Sequence, residues 1–288
     1  MTLSLTIVGS GTPVPSAERF GSAYLVDLGT ERLLFDCGPA TTYKLARVGI
    51  NPTAIDHLFF THHHFDHDVD YPCFLLTRWD ESIGDEPELA VYGPPPTVAL
   101  TRRLLDRRTG AFAHDWIARV NHPLSTTAFV ERGGTLPRRP PRARAHDIAA
   151  GAVVEGDGWR VTTARAEHVQ PWLDSVAYRL DTPAGSVVIT GDTAPCRDVL
   201  ELAAGADTLV MQCLDLQERL APATRASMAG TLDVGRLAAE AGVGRVVLVH
   251  QRAALDAPDA TERALAEVRS AFGGPVHFSH ELERLALD

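Results

Sequence analysis

The stretch Phe60–Asp68, reading FTHHHFDHD, constrains this chain more than any other. It packs four histidines and two aspartates into nine residues. In extended backbone, side chains alternate, so His62 and His64 face one way and His63 the other. Asp66 and His67 follow at a turn, and Asp70 with Pro72 reads as the start of a helix. So short a span cannot surround an ion from every side. The remaining ligands must arrive from distant segments, and the fold has to bring them there.

Three positions qualify. His168 follows WRVTTARAE, Asp192 follows SVVITG and His250 follows RVVLV. Each lies just past the C-terminal end of a predicted strand, as the cluster does. Strand ends along one edge of a sheet converge, and α/β folds build their sites there. The groups His62, His64, Asp66, His67, His168, Asp192 and His250 could complete two metal sites. None is a thiolate, which favours Zn²⁺, with Mn²⁺ or Fe as alternatives. His63 is then the spare histidine, and Phe65 the other non-ligand. Asp68 and Asp70 read as helix-start residues. His57, His114, His122, His146, His277 and His280 lie outside the set. Of these, His114 and His146 fall in a segment that could touch substrate.

Around these positions the chain reads as an α/β layered fold. Strand patterns occur at LSLTIVG, SAYLVDLG, ERLLFDCG, DHLFFTH, LAVYGP, WRVTTARA, SVAYRLDT, SVVITGD, TLVMQC and RVVLVHQ. Helical patterns fall at 72–80, 97–108, 197–204, 231–242 and 259–271. The 288 residues are expected to form one domain, 1–288, with an insertion at about 109–150. That insertion contains GGTLPRRPPRARAHD, whose glycines and prolines forbid a regular element throughout, so it reads as a lid or protruding arm. Residues 101–145 hold ten arginines against Asp106, Asp115 and Glu131, although the net charge is −10. That balance excludes a general nucleic-acid coat. Cys37, Cys73, Cys196 and Cys213 form no C-x-x-C pair and read as free thiols. No apolar run is long enough to span a membrane, and MTLSLTIVGSGTP reads as a first strand, not a signal peptide. A cytoplasmic location is expected.

The motifs resemble the metallo-β-lactamase fold superfamily, and within it the ribonuclease Z branch. GSGTPVPSAERFGSAYLV resembles that branch's opening strand and Gly-Thr loop, and LLFDCGPAT its Phe-Asp-Cys-Gly segment. THHHFDH fits the H-x-H-x-D-H signature, EHVQPWLDSVAYRL the third-histidine segment, and ITGDTAP and VLVHQ the last two ligand segments. The resemblance implies a four-layer αββα sandwich with a dinuclear site at one edge. By that resemblance His62, His64 and His168 hold one metal. Asp66, His67 and His250 hold the other, and Asp192 bridges. A metal-bound hydroxide is the implied nucleophile, oriented by Asp66. A homodimer is also implied.

The departures bear on substrate. Transfer-RNA-processing members carry a His-Glu-Ala-Thr-like loop where this chain reads MQCL, with Gln212 at the glutamate. They carry His-Ser-Thr where it reads MAGT, with Met228 at the histidine. Both changes remove groups that could move protons, and argue against precursor-tRNA processing. The expected activity is metal-dependent hydrolysis of a phosphodiester, on a small-molecule or anionic ester substrate. Ester, lactone, thioester or aryl sulfate hydrolysis is the alternative, because the same nucleophile attacks all of these. A non-catalytic metal-binding scaffold is a third reading.

Overall fold

The computed structural model describes residues 3–287. Among them are strands β1 (Ser4–Ser10), β2 (Ser22–Asp27), β3 (Arg32–Phe35), β4 (His57–Phe59), β5 (Ala90–Gly93), β6 (Arg144–Asp147) and β7 (Val153–Gly156). Then come β8 (Trp159–Arg165), β9 (Val176–Thr182), β10 (Gly185–Ile189), β11 (Thr208–Gln212), β12 (Arg245–Val249), β13 (Val276–Phe278) and β14 (Arg284–Ala286). The helices are α1 (Thr41–Arg47), α2 (Phe65–Asp68), α3 (Tyr71–Glu81), α4 (Thr97–Leu105) and α5 (Ala113–Asn121). They continue with α6 (Pro123–Glu131), α7 (Arg197–Ala203), α8 (Pro222–Arg225), α9 (Thr231–Ala241) and α10 (Pro258–Ala271).

Two seven-stranded sheets form, in the orders β14-β1-β2-β3-β4-β5-β6 and β13-β12-β11-β10-β9-β8-β7. The apolar strands explain why they stack. Leu33 and Phe35 of β3 enter the core between the sheets, while Leu34 joins a separate core under the helices. Val187 and Ile189 of β10 do the same, with Val188 turned to the opposite side. Strands apolar on both faces must be covered on both faces. Residues of α1 and α3 cover the first sheet, and those of α7, α9 and α10 the second. The result is the expected αββα sandwich.

Parallel pairing aligns the strand ends that matter. β3, β4 and β5 are mutually parallel in the first sheet, and β10, β11 and β12 in the second. Phe60, Ile189 and Val249 therefore lead into loops on common sheet edges. No helix among the described residues is long and apolar enough to cross a membrane.

Residues 109–150 carry more regular structure than their composition suggested. They contain α5 and α6, and residues 144–147 pair with β5 as edge strand β6. The β6 sequence RAHD is largely exposed and lacks an apolar face, so no alternation marked it. The arginine-rich part packs on the C-terminal end of α3. Arg138 lies over the rings of Trp79 (4.0 Å) and Phe129 (4.9 Å) and pairs with Asp80 at 2.9 Å. Arg119 also reaches Asp80, and Arg132 reaches Glu81. The histidine-rich segment precedes the N-terminal end of α3, whose 11 residues span about 16 Å.

Candidate metal centre

Strand β4 ends at Phe59, the chain bends at Thr61, and at His64 it is extended again, with φ −73° and ψ 149°. Alternation then acts as expected. His62 and His64 turn to one side, with His62 Nε2 and His64 Nδ1 3.0 Å apart. His63 turns away, its Nδ1 on Asp68 (3.1 Å) and its Nε2 on Thr97 Oγ1 (2.8 Å). It ties the loop to α4 instead of joining the cluster. The short helix α2 then presents Asp66 and His67, both buried. Gly38 makes room for this: a Cβ there would collide with the Asp66 carbonyl oxygen. Gly191, at φ 58°, gives the turn after β10 that delivers Asp192, and a Cβ on it would strike Thr61.

The distant residues meet this group. His168 Nε2 lies 3.1 Å from His64 Nδ1 and 3.8 Å from Asp192 Oδ2. His67 Nε2 is 3.5 Å from Asp192 Oδ1 and 3.6 Å from Asp66 Oδ2. His250 Nε2 is 3.3 Å from both Asp66 Oδ2 and Asp192 Oδ2. Three overlapping triads result: His62, His64 and His168; His62, His67 and Asp192; Asp66, His67 and His250. Within each, the ligand atoms lie within 4.8 Å of one another. All seven sequence-derived candidates are thus brought together. His114 is exposed on α5, and His146 stacks on Tyr92 at 5.1 Å; neither belongs to a triad. Asp70 accepts from Thr42 N and Oγ1, both at 2.6 Å, and so anchors α1.

The arrangement fits divalent cations. Zn–N bonds of about 2.0–2.1 Å place tetrahedral ligand atoms about 3.3 Å apart. The separations found here, 3.0 to 3.8 Å, bracket that value. Among the described residues, His67 Nε2 and Asp192 Oδ1 are buried with no hydrogen-bond partner. Buried polar atoms left unpaired are costly, and a cation between them would satisfy both. The electrostatics agree. Burial, with His67 beside it, pushes His62 well below the usual imidazole range. Burial opposes charge at Asp192 too, yet His250 and His67 hold its carboxyl well below the usual range. Burial likewise opposes charge at His67, but Asp36 and Asp192 push it well above the imidazole range. Carboxylates therefore dominate the field around His67, which favours a cation.

An outer ring orients the imidazoles. Asp36 accepts from His67 Nδ1 at 2.8 Å and from Thr61 N at 2.7 Å. Ser227 O accepts from His168 Nδ1 at 3.0 Å, and Thr61 Oγ1 meets His62 Nδ1 at 3.0 Å. Each contact leaves the other ring nitrogen with its lone pair toward the centre. The sequence reading assigned no role to Asp36, Thr61 or Ser227. The Phe-Asp-Cys-Gly segment was the available signal for Asp36, a buried acid directly after an apolar strand. Nothing comparable marks Ser227, which contributes a backbone oxygen. At the two departures, Gln212 is buried and donates to Thr193 O at 2.8 Å, its Oε1 without a partner among the described residues. Met228 is buried against Leu214 and Leu220.

Comparison with known proteins adds to this geometry. The sequence profile described as the metallo-beta-lactamase superfamily matches residues 17–237. A protein named Ribonuclease Z from Mycobacterium sp. (strain KMS) is 32% identical over 290 residues, covering 98% of this chain and 95% of that protein. Among solved structures, the metallo-beta-lactamase fold protein YhfI from Bacillus subtilis superposes with a TM-score of 0.75 at 20% identity, covering 99% of this chain and 100% of that one. Human tRNase Z, short form, superposes with a TM-score of 0.68 at 17% identity, covering 99% of both chains.

Proposed function

The chain belongs to the metallo-beta-lactamase superfamily, and from that premise we propose that it is a metal-dependent hydrolase of phosphodiesters. One observation carries the reading: seven imidazole and carboxylate side chains converge with ligand spacing, and three of their buried atoms, His67 Nε2, Asp192 Oδ1 and His250 Nδ1, lack any hydrogen-bond partner among the described residues. We assign His62, His64 and His168 to one divalent ion, and Asp66, His67 and His250 to a second, with Asp192 between them. Zn²⁺ suits this donor set, with Mn²⁺ or Fe as alternatives. Two such ions, when bound, supply an acidified water and a positive clamp on the scissile group.

The chain's own residues do the rest. Asp36, Thr61 and Ser227 fix the tautomers and planes of His67, His62 and His168, so the ligand set is preorganised. Asp66 gives one carboxylate oxygen to the ligand set, and we assign its second oxygen to orienting the attacking water. The sandwich walls bury the centre, which strengthens every charge interaction inside it. Gln212 is neutral and cannot donate a proton as a carboxylic acid would.

Within phosphodiesters, two observations favour a small substrate over precursor tRNA. Gln212 and Met228 replace the titratable groups of tRNA-processing loops. Of the basic segment, Arg119, Arg132 and Arg138 are already paired with acids at the far end of α3. The second reading, precursor-tRNA cleavage, is favoured by the name of the 32% identical relative. A side-by-side assay of zinc-loaded protein on an aryl phosphodiester, precursor tRNA, a lactone, a thioester and an aryl sulfate separates them. Chelator-sensitive turnover of the phosphodiester with weak tRNA cleavage is the expected result. Efficient, correctly placed tRNA cleavage would install the second reading. Turnover of the carbonyl substrates alone would overturn the phosphodiesterase assignment.

A further inference from the structure

His250 enters the centre with φ 55°, in the left-handed region that residues bearing a Cβ rarely occupy. Such a conformation persists only where its surroundings over-determine it. The neighbouring residue supplies the restraint. Gln251, 1% exposed, is held at three atoms. Its backbone N–H donates to Ser10 O at 3.0 Å, and its Nε2 donates to Leu248 O at 2.8 Å. Its Oε1 accepts from Arg19 Nη1 at 3.0 Å.

Arg19 is itself a buried cation, 3% exposed. Its Nη1 also donates to Ser10 Oγ at 2.6 Å. Its Nε and Nη2 both reach Asp256 Oδ1 at 2.8 Å, and its guanidinium lies 5.1 Å from the centre of the Phe278 ring. The one side chain therefore joins the end of β1, the residue after His250, the 3₁₀ turn Ala253–Asp256 and β13. Only a planar fork can hold this many partners at fixed angles.

We propose that Arg19 is a positioning residue for the metal centre: through Gln251 it holds His250 in its left-handed conformation and so sets the affinity of the site made by Asp66, His67 and His250. Among the described residues, the hydrogen-bond and ion-pair partners of the Arg19 side chain are Ser10, Gln251 and Asp256, none of them a ligand candidate. The inference rests on the ligand assignment above and extends it to a residue 231 positions before His250 in the sequence.

The test is zinc titration of apo-protein against a competing chelator, for wild type, Arg19→Met, Arg19→Lys, Gln251→Met, His250→Ala and the Arg19→Met/His250→Ala pair. Arg19→Met and Gln251→Met are expected to weaken one zinc by about 10- to 100-fold, the range for losing an outer-ring partner, while the other zinc holds its affinity. Arg19→Lys should fall between Arg19→Met and wild type. The pair should be no worse than His250→Ala alone, because both changes remove the same ligand geometry. Additive losses in the pair, equal weakening of both zincs, or wild-type affinity in Gln251→Met would overturn the proposal. If circular dichroism shows that Arg19→Met does not fold, Gln251→Met and its pair with His250→Ala decide by the same criteria. Wild-type protein binding fewer than two zincs would overturn the two-ion reading first, and with it this inference; it is seen before any variant is made.

Discussion

Replacing Asp36 with asparagine tests whether the outer ring controls the centre. Asp36 is fully buried at the end of β3. Its Oδ1 accepts from Thr61 N at 2.7 Å, and its Oδ2 from His67 Nδ1 at 2.8 Å. An asparagine of the same shape can serve only one of these donors with its oxygen. If the oxygen stays on Thr61 N, the amide NH₂ faces His67 Nδ1 and can pair only with an unprotonated nitrogen. The proton then moves to His67 Nε2, the atom that faces Asp66 and Asp192. A protonated nitrogen cannot bind a metal. If the amide turns over instead, its NH₂ meets the Thr61 N–H, and one buried donor loses its acceptor. Either way, the loss of a charge-assisted hydrogen bond costs about 1.5–3 kcal/mol of stability. Metal affinity is expected to fall about 10- to 100-fold, or about 1.4–2.7 kcal/mol. Zinc titration of the apo-variant reads the affinity, and urea denaturation of the same apo-protein reads the stability. An Asp36→Asn protein that binds zinc as wild type does would refute the tautomer argument, whatever its stability.

Two further outcomes follow from the ligand geometry. His63→Ala should keep both ions and lose about 1 kcal/mol of stability, because His63 bonds only Asp68 and the α4 region, whereas His64→Ala should lose at least one ion; elemental analysis of the two variants checks this, and equal loss would mean the alternation argument has the wrong register. Asp192→Asn should lower metal content and abolish chelator-sensitive turnover, since both Asp192 oxygens face ligand nitrogens; full activity would remove Asp192 from the centre.

The ligand loops were legible because the constraint behind them is local and periodic. Extended backbone separates His63 from His62 and His64 by itself, and strand ends announce themselves through the apolar runs before them. Most of the ten central strands could be read because both faces are buried, so selection for apolar residues is strong; β8 could be read because its buried positions alternate with exposed or half-buried ones. Edge strands β6 and β7 could not, since each is mostly solvent-exposed and gives only one residue, Ala145 or Val154, to a core. Helices α5 and α6 were hidden by the glycine- and proline-rich stretch that follows them. Asp36 and Arg19 were missed as functional residues for another reason. Their roles are set by contacts across 31 and 232 positions, which no local pattern encodes.

The two sheets contribute unequally sized shares to one centre. The loop after β4 delivers His62, His64, Asp66 and His67, while loops of the second sheet deliver His168, Asp192 and His250. Strand β1 meanwhile pairs with β14, on the far side of the whole second sheet in the sequence. During synthesis, then, the histidine-rich loop emerges from the ribosome with four donors and no finished cage. The first sheet likewise waits for its β14 strand. An ion caught early would sit on an incomplete set and could leave again; the ion assigned to Asp66, His67 and His250 would have to wait for His250. Completing that second set would accordingly be a late event of folding, and ions held at this centre would act as rivets between two halves that the ribosome delivers one after the other.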